Sequence, residues 1–186
     1  MSLRFTSTDI EGLYIIEPQI FHDERGYFTE TYNLKDFEAH GISPNFVQDN
    51  QSSSTHGVIR GLHAQRGEHS QGKLVRALIG TVLDVVVDIR PESKTFGKSF
   101  SIVLSQENFK QLYIPRGFLH GFSVMSDEAV LAYKCDNFYC KGAEITVRYD
   151  DPDLNIDWQI PGVISIVSDK DRNGISFAEL KKQLLQ

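Results

Sequence analysis

The fold of this chain is decided by residues 76–90, which read RALIGTVLDVVVDIR. In an extended strand, side chains alternate between two faces, so Leu83 and Val85 point one way while Asp84 and Asp88 point the other. The first face is purely apolar, and the second carries acids among valines. The pattern predicts a strand with one face in a hydrophobic core and carboxylates on the opposite face.

Short runs of the same two-residue period recur along the chain, separated by turns rich in Gly, Pro, Asn and Asp. The further strands predicted are Tyr14–Ile16, Phe28–Tyr32, Ser99–Leu104, Gln111–Ile114, Gly121–Val124, Val130–Tyr133, Ile145–Tyr149 and Ile164–Val167. Helical signals are limited to Leu34–His40, one turn at Ser105–Phe109 and a tail helix Phe177–Leu185 that a capping box opens at Ser176. These elements predict an all-β jelly roll or barrel with short peripheral helices, in a single domain over residues 1–186.

Composition excludes several classes of protein. The chain has 19 Lys and Arg against 25 Asp and Glu, a net charge of −6, which argues against binding to nucleic acid or to an anionic membrane. No segment approaches the roughly 20 apolar residues of a membrane helix, and the first residues show no secretory signal. Two cysteines, Cys135 and Cys140, are too few for a disulfide scaffold and fit reduced thiols. We expect a cytoplasmic protein.

Polar and cationic residues are concentrated in residues 46–76. On a regular strand, Arg60 and Leu62 would share one face, and Gly61 and His63 the other. Taken alone, this segment fits a half-buried strand with a hydrogen-bonded histidine as well as it fits a functional site.

Two further segments favour a site. His120 lies in a glycine-flanked turn that enters a strand, and Tyr133 falls on the same strand face as Leu131 and Cys135. A tyrosine that points into a barrel, with histidines opposite, is a proton donor facing candidate bases.

Eight motifs follow one another along nearly the whole chain. They are DERGYFTE (23–30), FVQDN (46–50), GVIRGLH (57–63), QGKLVR (71–76), IPRGFLHGF (114–122), YKC (133–135), DDP (150–152) and SDKD (168–171). In this order and spacing they resemble the dTDP-4-dehydrorhamnose 3,5-epimerases, cupin-fold enzymes of deoxysugar synthesis. The resemblance therefore implies a cupin-type jelly roll in which the N-terminal strands and the C-terminal helix are extensions.

The resemblance also implies roles for individual residues. His63 is at the position of the general base, Asp171 at that of its orienting carboxylate, and Tyr133 at that of the general acid. Lys73 lies where the family places a cation beside the carbonyl at carbon 4 of the sugar, and His120 is a second polar group near the sugar. The nucleotide and its pyrophosphate would be held by Arg25, Glu30, Gln48, Asn50, Arg60, Glu144 and Lys170. The family is homodimeric, with subunits that exchange strands and share the nucleotide site.

The chemistry of a 4-keto sugar agrees with these roles. Hydrogens on the two carbons beside the carbonyl are acidic, and inverting either centre needs a base on one face and an acid on the other. Histidine, with an ordinary pKa of about 6.5, suits the base, and a cation stabilises the enolate. Because the reaction moves no electrons and hydrolyses no bond, we expect neither a metal nor a redox cofactor.

Other functions are compatible with parts of the sequence. An epimerase of a single carbon would need the same base and acid. A metal-dependent cupin would show a His-x-His pair, but here the pattern is His63-Ala64-Gln65. A triad of His63, His69 and His120 would require the intervening loop to fold inward. A sugar-nucleotide-binding module without activity would not need the acid–base pair.

The sequence leaves two questions about carboxylates open: the role of Asp84 and Asp88, and the choice between Asp169 and Asp171 as the partner of His63. Asp84 and Asp88 either bind a ligand or, as we expect, support basic neighbours. The candidate partners are Lys73, Arg76 and His63. Asp169 and Asp171 would share a face if their segment were a strand, and the resemblance selects Asp171.

Overall fold

Strands dominate the computed structural model, which describes residues 3–42, 44–161 and 164–185. The strands are β1 (Leu3–Ser7), β2 (Tyr14–Pro18), β3 (Ile20–Asp23), β4 (Gly26–Thr29), β5 (Gln48–Thr55), β6 (Val58–Gln65), β7 (Lys73–Ile79), β8 (Thr81–Asp88), β9 (Ser99–Ser105), β10 (Gln111–Ile114), β11 (Phe118–Val124), β12 (Glu128–Cys135), β13 (Glu144–Thr146) and β14 (Ile166–Val167). The α-helices are α1 (Leu34–Ala39), α2 (Asp169–Arg172) and α3 (Phe177–Leu184), and short 3₁₀ helices cover Gly67–His69 and Lys141–Ala143.

The strands form two large sheets. The first has the order β1-β2-β10-β7-β12-β5, and the second has the order β13-β6-β11-β8-β9, with β14 paired to β6. Strands β3 and β4 form a separate two-stranded hairpin. This arrangement confirms the predicted all-β class with a few short helices. No helix within the described ranges is long and apolar enough to cross a membrane.

Both faces of β8 are buried, because the second sheet is covered on each side. Val82 and Val86 pack between the two sheets, in a cluster that includes Leu131 of β12. Leu83 and its neighbours on the opposite face pack in another cluster, with Trp158 and other C-terminal residues. The face that carries Asp84 and Asp88 is therefore the inner face of the barrel.

Most predicted elements are present, but several have different bounds. Gln111–Ile114 is as predicted, whereas β4 ends at Thr29 rather than Tyr32. The chain has to turn there because Asn33 caps α1, its side chain accepting a hydrogen bond from the amide of Lys35 at 3.1 Å. The two predicted strands near the C-terminal end shorten to β13 and β14, and a capping serine opens α3 as expected.

The regular alternation of β6 is broken beside the site. His120 of β11 pairs with His63, and the next pair is Phe122 with Arg60. Between these two pairs β6 has two residues and β11 has one, so β6 forms a bulge. Gly61 accommodates this irregularity: its φ is +129°, and a Cβ there would lie 2.6 Å from the backbone of β11. Arg60 therefore lines the same groove as His63. The expectation that it shares a face with Leu62 is wrong.

Candidate active site

Side chains from both sheets converge on a small polar pocket with a volume of about 130 Å³. Strands β5, β7 and β12 line it from the first sheet, and β6 and β13 from the second. The predicted site residues that line it are Gln48, Asn50, His63, Lys73, Tyr133 and Glu144. The fold thus gathers these residues, which are far apart in the sequence, around one cavity.

The candidate base is held by a buried carboxylate. His63 Nε2 lies 2.6 Å from Asp171 Oδ1, and the Gly61 amide donates to Asp171 Oδ2 at 3.2 Å. The Asp171 side chain is only 4% exposed, against 29% for His63. Burial alone would raise the pKa of Asp171, but the hydrogen bond and charge of His63, with bonds from Gly61 and Ser168, hold this pKa below its ordinary value. The carboxylate can therefore orient the imidazole and stabilise its protonated form.

Asp171 lies in a short helix and not in a strand. Residues 169–172 form α2, capped by Ser168, whose side chain accepts a hydrogen bond from the Asp171 amide at 3.2 Å. In a helix, residues two apart lie on different sides. Asp171 is accordingly buried, whereas Asp169 is exposed. The expectation of a shared face is wrong, and Asp171 is the residue that contacts His63.

These positions predict different effects of the same substitution. Asp171→Asn should lower turnover by about 10²-fold or more, because the imidazole loses the carboxylate that orients it and stabilises its protonated form. Asp169→Asn should stay within about twofold of wild type, since its exposed carboxylate acts only through weak helix-end electrostatics. Steady-state kinetics of the two variants, with thermal melts to verify folding, compare them. A larger defect in Asp169→Asn would contradict the assignment.

The candidate acid and the candidate cation lie on neighbouring strands, β12 and β7. Lys73 Nζ is 5.9 Å from the centre of the Tyr133 ring. Burial raises the pKa of Tyr133, so the phenol keeps its proton over the physiological range. Burial lowers the pKa of Lys73, and nearby Cys135, Asp84 and Glu144 act in the opposite direction. Since both side chains come from the first sheet and His63 from the second, a molecule in the pocket lies between acid and base.

His120 lies behind this pocket and forms a second histidine–carboxylate pair. Its Nε2 is 2.9 Å from Asp84 Oδ2, and both side chains are buried. The predicted supporting role of Asp84 toward Lys73, Arg76 or His63 differs in its hydrogen bond, which is made to His120, while the charge of Asp84 acts on Lys73. The reason is topological: β8 lies beside β11, so the inner-face acid meets the inner-face histidine of its neighbour.

Asp88, on the same face of β8, is not part of the site, and the expectation that it supports the same basic residues is wrong. Its carboxylate accepts hydrogen bonds from Arg90, Ser93 and Thr95 at 2.6–2.8 Å. Burial raises the pKa of Asp88, but these bonds outweigh burial and lower it to about 2. Asp88 therefore stabilises the turn that follows β8.

A second groove adjoins the pocket through His63. It has a volume of about 420 Å³, and Arg60 and Lys170 line it together with His63 and Asp171. Lys170 also pairs with Glu144 at 2.5 Å, and Arg60 Nε donates to a serine of β5 at 3.0 Å. Two cations beside the base make this groove suited to an anionic group.

Gln48 and Asn50 are at the pocket, as predicted, but their side chains form hydrogen bonds with other groups of the protein. Gln48 Nε2 donates to Asn50 Oδ1, and Gln48 Oε1 accepts the Tyr139 amide, both at 3.0 Å. Gln65 Oε1 accepts the next amide, that of Cys140, at 2.9 Å. The two glutamines hold the segment after β12 across the mouth of the pocket.

Arg25 and Glu30 are not among the described residues that line either cavity. Arg25 is exposed in the β3–β4 hairpin and pairs with Asp23 at 2.5 Å. Glu30 follows the hairpin and accepts a hydrogen bond from Asn33 at 3.1 Å. Within one chain, the fold does not bring these two predicted residues to His63.

Sequence reasoning missed two adjacent aromatic residues, Tyr139, which lines the pocket, and Phe138, which precedes it in the chain. Phe138 and Tyr139 are 65% and 51% exposed, and Tyr139 Oη donates to Glu144 Oε2 at 3.3 Å. Their signal in the sequence was a pair of adjacent aromatics directly after a predicted strand. Exposed aromatic rings beside a polar pocket are typical of ligand contact.

The histidine of the 66–72 loop does not join the other two. His69 is in a 3₁₀ helix, and its Nε2 lies 3.7 Å from Glu68 on the same loop. Within residues 3–42, 44–161 and 164–185, no three His, Cys, Asp or Glu side chains are arranged to hold a metal ion.

Comparison with known proteins agrees with this geometry over almost the whole chain. The model of the dTDP-4-dehydrorhamnose 3,5-epimerase family matches residues 7–179. The chain is 51% identical to the dTDP-4-dehydrorhamnose 3,5-epimerase of Shigella flexneri over 92% of this chain and 94% of that protein. The chain belongs to the dTDP-4-dehydrorhamnose 3,5-epimerase family. Its resemblance to this family is thereby confirmed, and the family's enzymes are isomerases.

Solved structures of 3,5-epimerases share the fold. The enzyme from Elizabethkingia anophelis superposes with a TM-score of 0.93 at 52% identity, over 96% of this chain and 98% of that one. The enzyme from Legionella pneumophila, solved with dTDP-4-keto-L-rhamnose, gives a TM-score of 0.92 at 45% identity, over 98% and 96% of the two chains.

Proposed function

We propose that this chain inverts carbons 3 and 5 of dTDP-4-dehydro-6-deoxy-D-glucose, giving dTDP-4-dehydro-L-rhamnose in the synthesis of dTDP-L-rhamnose. The observation that carries the proposal is the placement of His63 on one side of a polar pocket and Tyr133 with Lys73 on the other. Membership of the epimerase family supports the substrate.

His63 starts the reaction as general base. A hydrogen on the carbon beside the carbonyl is acidic because its removal leaves an enolate. Neutral imidazole takes this proton, and the Asp171 carboxylate, 2.6 Å away, stabilises the imidazolium that forms. Proton transfer of this kind contributes about 10²–10⁴-fold to the rate.

Lys73 and Tyr133 complete the inversion. The Lys73 ammonium stabilises the negative charge that develops on the carbonyl oxygen, an effect worth about 3–4 kcal/mol for one well-placed donor. Tyr133 delivers a proton to the face of the enolate opposite His63, and its raised pKa keeps that proton available. Once the His63 imidazolium has lost its proton to water and the Tyr133 phenolate has regained one from water, the same steps at the second carbon invert both centres, with no change of oxidation state.

The groove beside His63 is proposed to hold the nucleotide diphosphate. Arg60 and Lys170 supply positive charge, and Glu144 positions Lys170 through their ion pair. Arginine suits the pyrophosphate because its fork makes two parallel hydrogen bonds. Gln48 and Asn50 line the adjoining pocket, where their amide groups would reach the same ligand by exchanging the hydrogen bonds that they make to each other and to Tyr139.

The proposal is tested by converting the substrate with purified protein. Proton NMR of the product, followed over time, reports inversion of carbon 3 through the vicinal coupling between the hydrogens on carbons 2 and 3. Inversion of carbon 5, which lies between the carbonyl and a methyl group, is read from nuclear Overhauser contacts of its hydrogen across the ring. We expect a product inverted at carbons 3 and 5. Recovery of unchanged starting sugar, under conditions in which the protein is folded, would overturn the proposed function.

We propose further that the protein is a homodimer in which each hairpin β3–β4 completes the site of the partner. The hairpin belongs to neither large sheet, and its Phe21, Tyr27 and Phe28 are 50–70% exposed. A lone two-stranded hairpin with exposed aromatics gains stability by packing against another surface. Arg25 lies on this hairpin, which explains how it can bind a pyrophosphate without lining its own chain's groove.

Mixing two inactive variants tests this arrangement. Arg25→Ala and His63→Asn dimers, exchanged at equal concentration, should recover about a quarter of wild-type activity, because half the dimers are mixed and one of their two sites is intact. If Arg25 serves its own chain, no mixed site is intact and no activity returns. Light scattering provides the control, since it should report a mass about twice the 21.1 kDa of the chain.

We propose a cytoplasmic location and a single domain over residues 1–186. The family match over residues 7–179 supports one unit. Cys135 and Cys140 are unpaired. Free thiols are stable in a reducing compartment such as the cytoplasm.

A further inference from the structure

Asp84 is a fully buried carboxylate with one oxygen bonded and one not. Its side chain is 0% exposed, and Oδ2 lies 2.9 Å from His120 Nε2. Oδ1 has no hydrogen-bond partner in the described structure. Burying a carboxylate is costly unless nearby charge or hydrogen bonds compensate. An incompletely bonded acid in the core behind the pocket therefore calls for a functional explanation.

The pair of Asp84 and His120 repeats the pair of Asp171 and His63. The two histidines are opposite each other on β6 and β11, and each contacts its carboxylate through Nε2. A Cβ on Gly121 would come within 2.7 Å of the β6 backbone, so this close approach of the strands depends on glycine.

The second pair is in contact with the reaction groups. The His120 ring meets the Tyr133 ring edge-on, with centroids 6.5 Å apart, and Lys73 Nζ lies 5.9 Å from that same tyrosine ring. Burial lowers the pKa of His120, with Asp84 acting in the opposite direction, so the ring is neutral at pH 7. A neutral imidazole bonded through Nε2 to an ionised carboxylate donates that proton and leaves Nδ1 free to accept.

We propose that Asp84 is a positioning residue of the epimerase site, which fixes the tautomer of His120 and places a buried negative charge beside the pocket that Lys73 lines. The inference rests on the proposed function. Asp84 does not touch the substrate: it acts through His120 and through its charge on Lys73.

The charge effect has a definite sign. The titratable groups around Lys73 come from five strands and are His63, Asp84, His120, Tyr133, Cys135 and Glu144. Removing the negative charge of Asp84 makes the ammonium form of Lys73 less favourable and lowers its pKa. Because enolate stabilisation needs the ammonium, activity would then be lost at a lower pH on the alkaline side.

Asp88 provides a matched control. It lies on the same face of the same strand and is equally buried, but its carboxylate is fully bonded to the turn after β8. Asp88→Asn removes the same charge from the same strand without touching His120 or Lys73. It should lower the melting temperature and leave the pH dependence of turnover in place.

The experiment compares pH–rate profiles of wild type, Asp84→Asn and Asp88→Asn. In Asp84→Asn, kcat should fall by about 10-fold or more, with KM little changed, because the loss falls on groups that act on the developing enolate. The alkaline limb of its pH–rate profile should shift to lower pH by roughly one unit, as expected for the loss of a nearby opposite charge. If the wild-type enzyme is active and Asp84→Asn shows the same pH–rate profile as the wild type, the Asp84 proposal alone is overturned. Failure of the wild type to epimerise would overturn the proposed function as well.

Nitrogen-15 NMR of the histidine rings tests the tautomer without an activity assay. In the wild type, His120 should be the neutral Nε2–H form from about pH 6.5 upward, the range above the ordinary histidine pKa. Asp84→Asn should weaken this preference. If that variant does not fold, the wild-type spectrum still decides, since an Nδ1–H or doubly protonated His120 at pH 8 contradicts the inference.

Discussion

Replacing His63 by asparagine is expected to lower turnover by at least about 10², the low end of the contribution of general-base catalysis. Asparagine keeps a polar side chain beside Asp171 but cannot accept and hold a proton from carbon. Since no enolate forms, the variant should also stop exchanging hydrogens of the substrate with solvent deuterium. Nucleotide affinity should change little, because Arg60 and Lys170 remain in the groove.

His56→Asn is the control for this substitution. His56 is an exposed histidine in the turn after β5, and its replacement should leave turnover within about twofold of wild type, as is usual for surface changes. If His63→Asn kept activity within a few-fold of wild type, the base would be elsewhere. His120 would then be the first candidate, because it is the histidine paired with His63 across the sheet.

Replacing Tyr133 by phenylalanine is expected to separate proton exchange from inversion. The ring and its contact with His120 remain, but the proposed proton donor on the opposite face is lost. His63 and Lys73 can still form the enolate and return a proton to the original face. The variant should therefore incorporate solvent deuterium beside the carbonyl, while inverted product falls by about 10² or more.

Two other outcomes would reject this role. Normal formation of inverted sugar would make Tyr133 only a residue of the barrel lining. Loss of both exchange and inversion would mean that the enolate needs Tyr133, contrary to a mechanism with separate faces. Tyr113→Phe is the control, since Tyr113 is a largely buried tyrosine of β10, in the same sheet, whose pKa burial raises to about 12.

Period-two alternation predicted the positions of many strands because it depends only on local geometry. It missed β1, β3 and β5, and it joined β7 to β8 across Gly80, although these two strands belong to different sheets. It failed where the backbone departs from that geometry. The extra residue at Gly61 turns Arg60 toward the groove of His63. A glycine inside a strand pattern is a signal of such a bulge, but the alternation of side chains does not use it. Similarly, a two-residue spacing could not show that Asp169 and Asp171 lie in a short helix.

The partners of buried groups could be predicted only when the resemblance to a family supplied them. Asp171 was matched to His63 in this way, across 108 positions of sequence. Asp84 had no such guide, and its contact with His120 depends on β8 lying beside β11, two strands that are not consecutive in the chain. Arg25 shows a further limit. It is proposed to complete the site of a partner chain, and contacts between two chains cannot be deduced from the sequence of one.

The measurement that tests the account most directly is conversion of dTDP-4-dehydro-6-deoxy-D-glucose by the wild-type protein in deuterated water, with the label read at each carbon by NMR. The account predicts deuterium at carbon 3 and at carbon 5 of the inverted product, and no label at carbons 1 and 2. Label at a single carbon would show a one-centre epimerase. Inverted product without deuterium would contradict the central claim, because proton removal by His63 and delivery by Tyr133 both require exchange with solvent.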